Sequence, residues 1–321
     1  MTSPNLSEIV TTTLRKRSKK LADSVSENTA LLMRLKEKGN NRLVGGGRTI
    51  VEELEYAENS TYKRYSGYET LDIQPSDVFT AAEYNWKQTA VAVSISGLEQ
   101  LQNSGQEQLI DLLESRIKNA ERTMMNNMST DIYSDGTATN QVNGLQALVA
   151  DDPTTGTVGG INRANWTFWR NQVVDFTSDV GGASSASNMQ TGMNTLYLEC
   201  SRNKDHPDLI VMDNEYFREY WESLSANQRF TNEKLAGTGF DNLKFMNADV
   251  VFDGGLGGDC PSQHAYFLNT NYIKLKTHRD RNFAPLDPDR FAVNQDAMVK
   301  LIGWAGNMCM SNAELQGVLK E

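Results

Sequence analysis

The chain has 321 residues, a net charge of -10 and 39% hydrophobic residues, so it can bury a sizeable core in one large or two closely packed domains. No apolar run approaches the roughly 20 residues of a membrane-spanning helix, and the N-terminus lacks the apolar segment of a secretory signal, which argues against the membrane and secreted classes. Three widely spaced cysteines, Cys200, Cys260 and Cys309, favour a reducing compartment over a disulfide framework, so the chain is expected to stay in the cytoplasm that makes it.

The first 48 residues form a basic arm. Ten basic and four acidic residues give this segment a net charge of +6, which leaves about -16 for the rest of the chain. Such an arm is expected to bind something acidic, either nucleic acid or other copies of the body; the alternative is a solvated charge run on a terminal helix. Sparse apolar residues such as Leu21, Leu31 and Leu35 predict an amphipathic helix docked on a partner, with too few apolar positions for a core helix.

A glycine run and a long hairpin follow the arm. The glycines mark a flexible joint, because glycine permits unusual backbone angles. Residues 50–56 alternate between polar and apolar as one predicted strand, and residues 69–73 alternate as the predicted return strand. Because an isolated two-stranded hairpin is marginally stable in water, this hairpin needs a surface to lie on.

The longest predicted helix follows an alternating strand at 80–96. Ser104 and Glu107 have the spacing of a capping box, and apolar residues recur every three or four positions after them. The helix is predicted to run from about residue 105 to residue 132, a length of roughly 40 Å.

The middle and end of the chain predict a mixture of helices and strands. Residues 165–176 and 189–200 are expected to be helical, and 209–212 form a short apolar strand that leads into a helix capped by Asp213 or Asn214. Two further strand regions surround a glycine loop, and "DAMVKLIGWAGNMCMSN" predicts a closing strand.

The sequence offers no signature of a catalytic, cofactor or metal site. The glycine-rich "DGGLGGDC" lacks the Gly-Lys-Ser/Thr ending of a phosphate loop, the cysteine and histidine spacings match no zinc pattern, and Cys309 is expected to be a packed, inert thiol. Paired carboxylates for hydrolysis stay open as a remote alternative, since no pair stands out among 41 acids. We therefore predict no cofactor, no metal and no enzymatic activity.

The order of these elements, with the phrases "PDLIVMDNEYF", "YFLNTNYIKL" and "LIGWAGNMCMSN", resembles the HK97-like fold of tailed-bacteriophage major capsid proteins over essentially the whole chain. The resemblance implies an α+β protein. Its implied parts are an N-terminal arm at 1–41, an extended hairpin loop at 42–75, a peripheral domain at 76–160 and 271–321 with the long helix as its spine, and an α/β axial domain at 161–270.

The resemblance also implies a function of self-assembly. Copies of the chain, as hexamers and pentamers, would form an icosahedral head shell around packaged double-stranded DNA in the host cytoplasm and end in the virion capsid. From its charge, the acidic body is expected to contact that DNA only weakly. Further implied partners are a separate scaffolding protein, a portal and decoration proteins, with no membrane. An encapsulin-type shell around a cargo enzyme is the alternative; a neighbouring portal or terminase gene would exclude it. A nucleic-acid regulator that uses the arm is a weaker alternative, because the body is acidic.

The extended loop is expected to contact a neighbouring subunit, since tyrosine combines a large apolar body with a polar tip. The alternative is that the tyrosines fold back on their own domain. The loop glutamates, Glu52 among them, would meet a basic surface of the neighbour. The predicted contact residues are Arg48, Glu53, Tyr56, Tyr62, Lys63, Tyr65 and Tyr68, the predicted hinge is Gly45, Gly46 and Gly47, and the predicted basic surface is Arg279, Arg281 and Arg290.

Some members of the resembled family cross-link this loop to a neighbour through a lysine–asparagine isopeptide bond. Here Lys63 would be the donor and Asn294 or Asn307 the acceptor. A solvated lysine or an ion pair is the favoured interpretation of Lys63.

Overall fold

A computed structural model describes residues 29–96, 106–224, 242–254, 259–291 and 297–321. The helices are α1 (Ala30–Glu37), α2 (Gln106–Tyr133), α3 (Leu145–Leu148), α4 (Met189–Glu199) and α5 (Asn214–Ser223). The strands are β1 (Asn41–Val44), β2 (Ile50–Glu55), β3 (Phe79–Tyr84), β4 (Lys87–Ser96), β5 (Thr157–Val158), β6 (Ile161–Asn162), β7 (Gln172–Asp175), β8 (Leu209–Met212), β9 (Asn242–Phe245), β10 (Ala248–Phe252), β11 (His264–Leu268), β12 (Ile273–His278), β13 (Ala284–Phe291), β14 (Ala297–Met310) and β15 (Gly317–Lys320). Within these ranges no helix is long and apolar enough to cross a membrane.

The first of two large sheets is built on the long strand β14. One edge of β14 pairs with β4 along ten residues, from Ala297 opposite Ser96 to Gly306 opposite Lys87. The other edge pairs first with β13 and then with β12, and β1 extends the sheet in parallel beside β12. The predicted closing strand is therefore the centre of a five-stranded sheet.

The long helix α2 lies where its periodicity predicts. It runs from Gln106 to Tyr133, one residue later at each end than expected. The apolar stripe on α2 is buried and packs against β4. Its buried side chains include Ile117, Ala120, Met124, Met128 and Ile132. The side chains of the predicted capping box, Ser104 and Glu107, lie outside the described residues.

The second sheet has six strands in the order β7-β15-β11-β8-β10-β9. Its central strand β8 is buried at all four residues, which fits a continuous apolar run covered on both faces. Helices α4 and α5 contribute Met193, Leu196 and Tyr216 to the core on this sheet. As predicted, Asp213 caps α5, where its carboxylate accepts a hydrogen bond from the Tyr216 N–H at 3.0 Å.

The predicted helix at 165–176 is wrong. Thr167–Trp169 form a single 3-10 turn, and Gln172–Asp175 form the edge strand β7, which pairs in parallel with β15. Trp169 is buried, and its indole N–H donates to the Val158 carbonyl at 2.9 Å. Tertiary pairing with a distant strand therefore outweighs the local helical pattern.

The arm prediction also needs a correction, because α1 is a core helix. Leu31, Leu32 and Leu35 are buried at 0 to 1% exposure. The helix contacts β8, β1 and β12, so both of its flanks are covered by the chain's own sheets. Neighbouring leucines can then both be buried, which a one-sided amphipathic pattern does not anticipate. Residues 1–28 of the predicted arm lie outside the described residues.

Asp208, just before β8, joins α1 to the connection between the sheets. Its carboxylate accepts from the Thr270 N–H at 2.7 Å and from the Thr270 hydroxyl at 2.8 Å. The same carboxylate pairs with Arg34 at 3.2 Å and with Lys38 at 3.0 Å. Arg34 also reaches Asp249 at the start of β10, at 2.6 Å. One carboxylate therefore links α1, the start of β8 and the connection between β11 and β12.

Two short connections join the two sheets, one between β11 and β12 and one between β14 and β15. Asn269 and Gln316 lie in these two connections, are fully buried, and bond to each other: the Asn269 N–H donates to Gln316 Oε1 at 2.9 Å, and Gln316 Nε2 donates to the Asn269 carbonyl at 3.2 Å. The second connection sends β15 into the six-stranded sheet, where it lies between β7 and β11. The predicted domain division assigned residues 271–321 to the peripheral domain and did not anticipate that β15 pairs within the six-stranded sheet.

The C-terminal end of α2 is tied to the six-stranded sheet by Tyr133. Its hydroxyl donates to Asp253 Oδ2 at 2.5 Å, directly after β10. Burial raises the pKa of Asp253 to about 6; the Tyr133 hydrogen bond lowers that pKa and the nearby Asp259 raises it. An ionised Asp253 is therefore unfavourable in the folded chain.

We expect Asp253→Asn to stabilise the unassembled chain more at pH 7 than at pH 4. The raised pKa means that the folded chain keeps a proton that the unfolded chain loses, so wild-type stability falls as pH rises from about 4 to about 6 and stays reduced above that. Asn carries no such cost, so the difference in free energy of unfolding should grow by about 1–3 kcal/mol between the two pH values. Urea unfolding at each pH measures it, with the exposed Asp77→Asn as control. Equal effects of Asp253→Asn at both pH values would contradict the assignment.

Candidate interaction surface

The base of the hairpin is a two-stranded antiparallel sheet. β2 and β3 pair from Ile50 opposite Tyr84 to Glu55 opposite Phe79. The return strand predicted at 69–73 is therefore wrong, since those residues form no strand and the chain pairs only from Phe79 onward. The hairpin is accordingly longer than predicted, with a projecting loop at residues 57–78 between the two strands.

Glu52 anchors this base to the five-stranded sheet. Its carboxylate is 5% exposed and contacts Lys274 Nζ at 2.6 Å and Lys276 Nζ at 2.5 Å, both on β12. The expectation that Glu52 meets a neighbouring subunit is wrong, because strand alternation puts it on the buried face with Ile50 and Leu54. Glu53, on the opposite face of β2, is exposed as predicted.

Tyr84 provides a second anchor from β3. Its buried hydroxyl donates to the Met310 carbonyl at 3.1 Å and accepts from the Met310 N–H at 3.2 Å. Burial raises the pKa of Tyr84 far above its usual range, so the hydroxyl stays protonated and can make both bonds. The two anchors fix the base of the hairpin on its own chain.

We expect Glu52→Gln to destabilise the unassembled chain by about 1–3 kcal/mol. The substitution leaves two partly buried lysines without their counter-charge, and a broken buried pair costs up to several kcal/mol, reduced here because the lysines retain some solvent contact. Glu53→Gln on the exposed face is the matched control and should lie within about 0.5 kcal/mol of wild type. Chemical denaturation measures both; equal stabilities for the two variants would contradict the anchoring role of Glu52.

The projecting loop has almost no cover from its own chain. Tyr62, Tyr65 and Tyr68 are 81%, 63% and 107% exposed, and Ile73 is 91% exposed. Asn59 Oδ1 braces the neck of the loop by accepting from the Ser76 hydroxyl at 2.8 Å. A braced loop that presents large apolar side chains to solvent has the character of a contact surface.

Tyr56, at the end of β2, behaves differently from the other three tyrosines. Its ring lies 5.4 Å from the ring of Phe168 and 6.0 Å, edge-on, from Trp166. For Tyr56 the structure therefore shows the alternative of packing on its own chain. Trp166, Phe168 and Phe79 were not predicted as surface residues. The density of aromatic residues in "NWTFW" was a signal for Trp166 and Phe168, but that segment was assigned to a helix.

The glycine joint leads into the hairpin. Gly46 and Gly47 have φ angles of +135° and +127°, a backbone region that side chains rarely allow. The Trp86 indole donates to the Gly47 carbonyl at 2.9 Å, which fastens the joint to the turn before β4. Gly45 also lies here, and the hinge role of the three glycines remains a prediction.

The predicted basic surface is only partly described. Arg279 and Arg281 are exposed, and Arg281 Nη1 donates to Gln88 Oε1 at 3.3 Å. Arg48, also exposed, follows the glycine joint. Arg290 belongs to β13, but its side chain lies outside the described residues. The contact roles of these arginines remain predictions.

Lys63 forms an ion pair within the loop, 3.2 Å from Glu69. Of its two candidate isopeptide acceptors, Asn294 lies outside the described residues. Asn307 is fully buried, and its side chain donates to the Asn85 carbonyl at 3.0 Å and accepts from the Asn143 N–H at 2.9 Å. Asn307 is therefore wrong as an acceptor for a neighbour's lysine.

The three cysteines are free and buried. Burial raises the pKa of all three thiols, which disfavours the thiolate that nucleophilic or metal-binding cysteines use. In the described part of the chain, no group of three or more His, Cys, Asp and Glu side chains is arranged to hold a metal ion.

The chain is similar to known proteins in its structure and not in its sequence. No protein-family model matches the sequence, and no similar sequence is found among curated proteins. The capsid asymmetric unit of cyanophage A-1(L) is similar, with 14% identity, a TM-score of 0.65, and 87% of this chain and 89% of that chain covered. So is the capsid of the native GTA particle, with 13% identity, a TM-score of 0.56 and 88% of each chain covered. A structure of Mycobacterium phage Bobi gives 12% identity and a TM-score of 0.53, over 88% of this chain and 89% of that chain.

In each comparison the similarity covers nearly the whole length of both chains at very low sequence identity. They confirm the α+β, HK97-like capsid fold that the element order implied.

Proposed function

We propose that this chain is the major capsid protein of a tailed bacteriophage and assembles into the head shell that encloses double-stranded DNA. The observation that carries the proposal is the combination of a capsid fold with a projecting loop whose tyrosines are largely exposed. The five-stranded sheet with α2 corresponds to the peripheral domain of that fold, and the six-stranded sheet with α4 and α5 to the axial domain.

The loop supports assembly on energetic grounds. Exposed tyrosines and aliphatic residues on a braced loop gain free energy when a neighbouring surface covers them, at roughly 25 cal/mol per Å² of apolar area. The loop is braced by the Asn59–Ser76 bond, and its base is anchored by Glu52 and Tyr84, so less conformational entropy is lost when it docks. A pre-organised loop of this kind favours specific contact between subunits.

Charge supports the same proposal. The basic cluster at residues 15–20, which precedes α1, and the acidic remainder of the chain attract each other between copies, which favours association and limits adhesion of DNA to the body. Repetition of modest contacts lets a growing shell correct errors, and multiplicity then stabilises the closed particle. The proposal also includes hexamers and pentamers of the chain, a separate scaffolding protein, a portal, decoration proteins and assembly in the host cytoplasm.

We expect the purified chain to form closed shells or capsomer rings, and the triple variant Tyr62→Ser, Tyr65→Ser, Tyr68→Ser to lose them. A central interface tyrosine contributes about 2 kcal/mol, so three together should raise the concentration needed for assembly by at least about 100-fold. Negative-stain electron microscopy and sedimentation velocity measure particles and subunits across a dilution series.

The matched control is Tyr62→Phe, Tyr65→Phe, Tyr68→Phe, which keeps the apolar bodies and should assemble near the wild-type concentration. Because these side chains are exposed, all variants should unfold at wild-type denaturant concentrations. A uniform small particle from the unsubstituted chain, across salt and crowding conditions, would refute the proposed function.

A further inference from the structure

The base of the projecting loop carries a concave site that the loop's own chain leaves open. Two adjoining cavities, of about 480 Å³ and about 250 Å³, share Tyr56 and Phe168 in their walls. The larger lies within the range of about 300–1,000 Å³ that is typical of ligand pockets, so it has room for aromatic side chains. We call the two cavities together the base cleft.

The base cleft is lined by aromatic side chains and by carboxylates. Phe79 and Trp166 line it and are 69% and 49% exposed, so large apolar surfaces remain open to solvent. Glu55 and Glu58 line the larger cavity, and Asp77 lines the smaller. A lining of aromatic rings and carboxylates suits a ligand that carries both aromatic rings and positive charge. Arg202 is the one basic residue among the described lining residues.

The tip of the projecting loop has the complementary chemistry. Its sequence Tyr62-Lys63-Arg64-Tyr65 places two cations between two tyrosines. All four side chains are exposed, and Glu69 partly offsets the charge of Lys63. Arg64 can pair with a carboxylate of the base cleft while the tyrosines cover its aromatic side chains.

The occupant cannot be the loop of the same chain in this conformation, since there both the tip and the base cleft are exposed. We propose that the loop tip of one subunit docks in the base cleft of a second subunit. The inference rests on the proposed function and names the acceptor surface for the loop. Tip and cleft are different surfaces, so the contact is head-to-tail; repeated, it closes into a ring when the rotation between subunits allows it.

Disulfide trapping tests the contact directly. The variant Tyr65→Cys, Arg202→Cys places one thiol at the tip and one on the cleft wall outside the loop, and the native cysteines are buried. Oxidation of assembled particles should give ladders of linked subunits, about tenfold more than the control pair Tyr65→Cys, Thr191→Cys, because docked thiols share a high effective concentration. Thr191 is exposed near the start of α4, whereas Arg202 follows the end of that helix, and Thr191 is not among the lining residues of the base cleft.

A charge exchange provides the second measurement. Arg64→Glu and Glu58→Arg should each raise the concentration needed for assembly about tenfold, and the double variant should recover toward wild type. Shells from both single variants at the wild-type concentration would overturn the docking while leaving the proposed function intact. If Ser18→Cys in the basic arm cross-links to Arg202→Cys and Tyr65→Cys does not, the base cleft binds the arm. That result would overturn the docking of the loop tip. No shells from the unsubstituted chain would overturn both proposals.

Discussion

The carboxylate of Asp208 is the contact on which the arrangement of the two sheets depends. It binds Thr270 in the crossover between the sheets and Arg34 and Lys38 on α1. A carboxylate with this many donors offsets its own desolvation, and the donors come from two distant parts of the sequence, α1 and Thr270. The crossover, the first helix and the start of β8 are therefore placed relative to each other before any contact with another subunit.

From this frame the structure divides into an anchored part and an uncovered part. Glu52 and Tyr84 bind the base of the hairpin to the five-stranded sheet, so the direction of the projecting loop is set by its own chain. Beyond Tyr56 the loop buries almost nothing, and a large apolar surface remains on its outside. A chain that fixes the base of a loop and leaves its body exposed presents a surface suited to contact with another molecule.

Helical periodicity of the apolar residues correctly predicted the helices that bury a single apolar face. The buried face of α2 and the capped helix after β8 could be predicted because the pattern of each is local. The prediction failed for α1, whose leucines are buried by two sheets at once, and for residues 165–176, where pairing of β7 with β15 decides the structure. The return strand failed for a related reason: β3 is selected by its partner β2 and by the Tyr84 anchor, whereas the alternation at 69–73 has no partner.

The candidate surface was predictable in part. An unusual density of tyrosine marked the loop, and three of the four tyrosines are exposed there. The base cleft was not predictable, because Tyr56 comes from the hairpin and Trp166 and Phe168 from a turn more than a hundred residues away. Glu52 and Glu53 show the same limit: adjacent and identical in type, they differ in role through the face of β2 on which each lies.

The most direct measurement of this account is a cryo-electron microscopy reconstruction of particles assembled from the purified chain. The account predicts that residues 57–78 lie on an adjacent subunit, with Tyr62, Tyr65 and Tyr68 covered by it. A closed particle in which this loop stays in solvent, or folds onto its own chain, would contradict the claim that the loop joins the subunits.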